Sequence, residues 1–264
     1  MVNNDLTDIG VMANKSLNEE STQKLSLILG RDLYQTRSLI ASKIPRIIFQ
    51  NTDPQRIGET SKQIDNLGLV SFAFKDIDIK KPLQLFKASR LEFADDYLVF
   101  QEKNAQLLKL ESNQVFLILK GNLKISKEKE KVSNVKKLNV FATLMTGGIP
   151  IRRTVQKKTI EITTENDSFL RIFQKNSMDF CIEIKQHGFN YTCLGPEMSP
   201  ASQQNFNLIT RKIKDSIPEA IFDDKLNEFP SISNSADPLR ANIDINCKLI
   251  YLYYQVMKNH QSSI

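Results

Sequence analysis

Tryptophan is absent from this chain of 264 residues, and histidine (two) and cysteine (three) are scarce. Cys181, Cys193 and Cys247 are an odd number without close spacing, which excludes a disulfide framework and predicts reduced thiols. Cys181, His187 and Cys193 are separated by five residues each, neither the close cysteine pair nor the histidine pair of a zinc site, so no metal or other cofactor is expected. A Cys181–His187 nucleophile pair has no surrounding motif to support it. Asp95-Asp96 and Asp223-Asp224 are adjacent pairs suited to turns and caps before acid–base work. Gly147-Gly148 lacks the Gly-Lys-Ser/Thr ending of a phosphate loop. With so little reactive material the chain reads as a non-enzyme. Long apolar runs are missing too: none exceeds the six residues of 249–254, against the roughly 20 that a membrane span needs. The opening MVNNDLTDIGVMANKSLNEEST has neither a basic start nor an apolar core, so it is no secretory signal, and a cytoplasmic location is expected.

What the chain does have is positive charge in one place. Its net charge is +6, yet between Lys120 and Lys158 eleven Lys or Arg meet two Glu, a local +9 that leaves the remainder at −3. Length fits two modest domains.

The stretch LEFADDYLVFQEKNAQLLKLESNQVFLILKGNLKI, 91–125, breaks into short apolar bursts bounded by turn residues, the pattern of consecutive antiparallel strands. Residues 115–119 lack polar alternation, which predicts a strand covered on both faces. Before it, residues 1–18 are polar without a clear period and predict a mobile tail. Residues 19–80 predict a small α/β module. A helix at 20–29 stops at Gly30, and Asp32 caps another at 33–42. A strand at 47–49 follows Pro45. Asp53, Pro54 and Gly68 then punctuate a helix with the apolar stripe Ile57, Ile64 and Leu67. The strand at 69–74 completes a βαβ unit with a short crossover.

Residues 85–230 predict a β-rich module interrupted by the basic insertion 120–158. Strands resume at 169–173 and 180–184, where Phe180, Ile182 and Ile184 alternate with Cys181, Glu183 and Lys185 to give one buried face; Phe189, Tyr191 and Cys193 continue that period. Ser199 and Pro200 open a helix with the stripe Phe206, Ile209, Ile213 and Ile217, stopped by Pro218. Residues 219–237 predict a loop. A final helix at 240–260 carries Ile245, Leu249, Leu252 and Val256 and either packs on the β module or forms an oligomer contact. The expected class is α+β: a small α/β sandwich module, then a mostly antiparallel barrel or sandwich with C-terminal helices.

The run GRDLYQTRSLIASKIPRIIFQNTDPQRIGETSKQIDNLGLVSFAF, 30–74, resembles the C-terminal domain of the bacterial ribosomal stalk protein. It shares the helix, proline, short strand, capped helix, glycine stop and closing strand. That domain's factor-binding helix is rich in Gly, Ala and Lys; here Tyr34, Gln35 and Thr36 stand instead, so the resemblance implies a fold and no binding residue. The second module carries Thr146-Gly147-Gly148-Ile149-Pro150, Phe169-Leu170-Arg171-Ile172-Phe173 and Phe189-Asn190-Tyr191-Thr192-Cys193-Leu194-Gly195. It resembles a bacterial protein family with a Thr-Gly-Gly-Ile/Leu-Pro loop before a basic segment, and its strand layout is similar to a bacterial pleckstrin-homology-like barrel closed by a helix. These resemblances imply fold without adding chemistry.

The expected function is therefore non-catalytic: a binding or scaffold protein with a protein partner. The alternative is a peripheral binder of an anionic ligand, either nucleic-acid backbone or phospholipid headgroup, through the basic insertion. Its candidate anion-binding residues are Lys136, Lys137, Gly147, Gly148, Arg152, Arg153, Lys157 and Lys158. The headgroup version would put the protein peripherally at a membrane. Phe141 is the insertion's one aromatic stacking group, which weighs against base readout.

Overall fold

The computed structural model describes the backbone of residues 6–13, 17–138, 147, 152–226 and 236–261. Side chains are described over the same residues except within 124–138, 152–155, 157–166 and 236–242, and at 261. The fold is α+β. The chain divides into two compact units, Met1–Asn122 with Ser168–Ile264, and Leu123–Asp167. Residues 19–80 and 85–230 were expected as separate modules; the second unit, Leu123–Asp167, overlaps the expected insertion 120–158.

The first unit holds a three-stranded and a seven-stranded sheet. In the smaller, β1 (Thr7–Met12) lies between β2 (Arg46–Asn51) and β3 (Val70–Lys75), antiparallel to both. Two expectations change here. Residues 7–12, assigned to a mobile tail, form the central strand. The βαβ unit is split, because β2 and β3 run the same way with β1 between them. Ile9-Gly10-Val11-Met12 shows no alternation because both faces of β1 are covered. Ile9 and Val11 join Leu25, Ile48, Ile57 and Ile64 in one core, whereas Met12 packs with Phe72, Phe74, Leu249 and Tyr253 in another. Gly10 is required by close approach: a Cβ there would lie 2.4 Å from the Phe72 ring.

The helices on the first of those cores begin and end where local chemistry dictates. α1 (Glu19–Leu29) ends at Gly30 with φ 61°. Asp32 accepts the Gln35 N–H at 2.7 Å to start α2 (Leu33–Ile40). Asp53 accepts the Gln55 N–H at 2.9 Å to start α3 (Pro54–Asp65), with Pro54 in the first turn. The short α4 (Asp76–Lys80) leads into the second sheet.

That sheet has the order β10-β7-β8-β9-β4-β5-β6. β4 (Gln84–Phe93), β5 (Tyr97–Glu102) and β6 (Leu107–Glu111) form an antiparallel meander, and β9 (Phe180–Lys185) lies parallel to β4 and antiparallel to β8 (Arg152–Gln174). β7 (Val115–Leu138) and β8 both continue into the second unit. β10 (Ile221–Leu226) pairs parallel with β7 where a loop was expected; Asp223-Asp224 masks the strand, because the buried Asp223 is satisfied by the Tyr254 hydroxyl at 2.7 Å. Residues 191–197 are 3-10 helix and not a continuing strand, with Asn190 capping the Thr192 N–H.

One face of the seven-stranded sheet meets α5 (Ser202–Ser216) through Phe206, Ile209 and Ile213, packed with Ile172, Ile182 and Ile184. The other face meets α6 (Ala236–Gln261): Tyr251 lies 5.0 Å from the Phe116 ring and 5.7 Å from Phe173. Leu249 and Tyr253, on the other side of α6, pack on the smaller sheet. The final helix thus joins both sheets, and residues 115–119 are buried on both faces as their pattern predicts.

Asp8, wholly buried on β1, gives the fold a pH dependence. Burial raises its pKa; a hydrogen bond from Gln50 at 2.8 Å opposes this, and the Asp76 carboxylate reinforces it. A raised carboxylate pKa means the native state holds the proton more tightly, so ionisation above the ordinary aspartate range, about 3.9, costs stability. Asp8→Asn keeps the acceptor for Gln50 and removes the charge. Its thermal unfolding midpoint should exceed that of the parent at pH 7, with the gain shrinking toward pH 3; a loss at pH 7 would contradict the account.

Candidate functional site

Charged residues inside apolar strands are costly unless paired, so their partners indicate what the interior is built to do. Arg171 sits in the run Phe169–Phe173 and is 1% exposed. Its Nε and Nη2 donate to Glu183 Oε2 at 3.1 and 3.0 Å, and Nη1 donates to Cys247 Sγ at 3.3 Å. Nη1 also lies 2.7 Å from Asp244 Oδ1, an ion contact off the hydrogen-bonding direction. Arg171 and Glu183 are cross-strand partners on β8 and β9, and Asp244 and Cys247 come from α6. Glu183 was expected on an open face; α6 covers that face, so Cys181 and Glu183 are both buried. Burial disfavours the guanidinium charge, but the sulfur atoms of Cys247 and Cys181 and the carboxylates of Glu183 and Asp244 outweigh it, and the pKa of Arg171 is raised.

A second buried cation anchors the same helix. Lys248 is fully buried, and its ammonium donates to Asp78 O at 2.9 Å, Lys81 O at 3.0 Å and Asp179 Oδ1 at 2.5 Å. All three of its donors are matched. These contacts bind α6 to α4, to the segment entering β4 and to the β8–β9 turn.

None of the three thiols is set up as a nucleophile. Burial pushes Cys181 well above the ordinary thiol value against the pull of Arg171, and burial likewise raises Cys247 and Cys193. Cys181 and His187 are not brought together. Cys181 faces Arg171 near the start of β9, whereas His187 follows the strand's end, and strands advance about 3.3 Å per residue.

Beside the buried cluster the same sheet face opens into a groove of about 370 Å³, walled by β4, the β5–β6 turn and the segment after β9. Its charged and imidazole lining is Lys87, Lys103, Lys185, His187, Glu102 and Glu183. Lys87 pairs in register with Glu183, so Arg171, Glu183 and Lys87 form a row across β8, β9 and β4. Glu102 Oε1 accepts the Lys87 backbone N–H at 2.7 Å. Glu183 Oε1 has no hydrogen-bond partner among the described residues.

Of the residues expected to bind anions, Lys136 and Lys137 lie on β7 and Arg152, Arg153, Lys157 and Lys158 on β8; their side chains lie outside the described residues, as does Gly148. Gly147 is exposed in a turn with φ 69°. Sequence reading overlooked Arg171, Glu183, Asp244 and Lys248 as a group, although each of Leu-Arg-Ile, Ile-Glu-Ile and Cys-Lys-Leu places one charge in an apolar run. Among the described residues no group of three or more His, Cys, Asp and Glu is placed to hold a metal ion, and no helix is long and apolar enough to cross a membrane. No protein-family model, no curated protein and no solved structure matches the chain.

Removing one partner of the buried cluster should cost far more than removing both. Arg171→Met, which strands Glu183, should lower stability by about 3–5 kcal/mol in urea unfolding, and Arg171→Met with Glu183→Met should recover most of it. Additive losses would contradict a paired cluster.

Proposed function

We propose that this protein is a non-catalytic binding or scaffold protein whose partner is another protein. The observation that carries this reading is the use to which the first unit puts its buried ionisable groups. Arg171, Glu183, Asp244 and Lys248 all hold α6 in place, and the thiols beside them are kept protonated by burial. Such an arrangement favours a stable platform over a reacting centre. From it β7 and β8 continue in sequence into Leu123–Asp167.

A second reading is favoured by charge. Residues 123–167 contain ten Lys or Arg against five Asp or Glu, so five of the six net positive charges belong to that unit. An anionic ligand there, nucleic-acid backbone or phospholipid headgroup, would be held mainly by charge and would be released by salt. On the first reading the protein works in the cytoplasm; on the second it also works peripherally at a membrane or on nucleic acid.

Changing Lys136, Lys137, Arg152, Arg153, Lys157 and Lys158 to Gln in the full chain separates the two. The scaffold reading predicts that a protein partner captured by crosslinking is retained by this variant and at raised salt. Loss of the captured partner, together with loss of nuclease-sensitive absorbance at 260 nm or of flotation with anionic vesicles, would replace it with the second reading.

A further inference from the structure

The groove beside the buried cluster is lined by residues of the first unit alone. From its walls we infer that it is a binding site for a small phosphate monoester that carries a hydrogen-bond donor close to its phosphate. Three lysines line it: Lys87 from β4, Lys103 from the β5–β6 turn and Lys185 from the end of β9. No described carboxylate forms an ion pair with any of the three. The two acidic residues of the lining offset them only in part. Glu102 accepts the Lys87 backbone N–H and keeps its charge, whereas the charge of Glu183 is met by Arg171 behind it, so the three lysines outnumber the one carboxylate that has no cation of its own. A cavity of about 370 Å³ lies within the range of small-ligand sites, roughly 300–1,000 Å³. Lysine ammonium groups act on phosphate as point charges that can converge from separate elements, which is how these three are supplied.

The donor requirement comes from Glu183. It lines the groove, its side chain is 1% exposed, and Oε1 lacks a hydrogen-bond partner among the described residues while Oε2 is taken by Arg171. A buried carboxylate oxygen without a donor is costly, and a ligand N–H or O–H would remove that cost. Glu183 shares its face of the sheet with Lys87, its register partner, and with Lys185, two residues along β9. A ligand held by both lysines is therefore adjacent to that carboxylate. The aromatic Phe189 and the hydroxyl of Ser89 complete a wall fit for a short organic portion.

The test is titration of the full chain with phosphoethanolamine and with ethyl phosphate, followed by backbone amide shifts and by calorimetry. Phosphoethanolamine should bind saturably, with shifts concentrated at Lys87, Lys185 and Gly188, and about tenfold more tightly than ethyl phosphate, which lacks the donor. Lys87→Gln with Lys185→Gln should weaken it about tenfold or more while leaving the thermal midpoint unchanged, since neither side chain is in the core. Neutralising the six insertion cations should leave it intact. Absence of saturation, equal affinity for the two esters, or loss caused by the insertion variant alone would overturn the inference. So would flotation with phosphatidic-acid vesicles that depends on Lys87 and Lys185 when neither soluble ester binds, because the groove would then be reading a membrane.

Discussion

Everything in the first unit depends on how α6 is held between two sheets. A helix in that position must bury both sides, and its sequence divides accordingly: Leu249 and Tyr253 meet the smaller sheet, while Cys247 and Tyr251 meet the larger. Apolar contact alone is non-directional and would tolerate sliding or rotation. The polar contacts are directional. Arg171 reaches both Glu183 on its own sheet and Asp244 on the helix, and Lys248 reaches two backbone carbonyls and Asp179. A one-residue shift of α6 would carry Lys248 away from its three acceptors and take Asp244 and Cys247 away from Arg171, so these charges set register even where hydrophobic replacements would match them in stability.

Charges in the interior already have structural tasks, whereas the groove beside them is lined by three lysines and by Glu183, whose buried Oε1 has no hydrogen-bond partner among the described residues. Glu183 belongs to both settings. It neutralises Arg171 through Oε2 and lines the groove, so occupancy of the groove and anchoring of the helix act on one carboxylate. The insertion adds a separate concentration of positive charge through β7 and β8.

Local signals were legible where they act locally. Asp32 and Asp53 cap the helices their positions predict, Gly30 and Gly68 take the left-handed exits with φ 61° and 80°, and the apolar run at 115–119 is covered twice. What escaped was set by distant partners. Thr7–Met12 resembles a polar tail until α6, more than 200 residues away, covers its second face. Asp223 makes β10 look like a turn, and only Tyr254 shows why a carboxylate can lie in a buried strand. The open face predicted for Cys181 and Glu183 is closed by Asp244 and Cys247, whose role no spacing along the chain could disclose. The groove was illegible for the same reason: Lys87, Lys103 and Lys185 come from three places in the sequence and converge only through the parallel pairing of β4 with β9 and the meander to β5.

Native-state hydrogen exchange on the full chain reads whether α6 couples the two sheets. If α6 locks both sheets together, the slowest amides of β1, β3, α6, β8 and β9 should exchange at one common free energy and shift together with denaturant, as a single cooperative unit. If β1 and β3 open with a distinctly lower free energy while β8, β9 and α6 stay protected, the helix belongs to the larger sheet alone and the account fails.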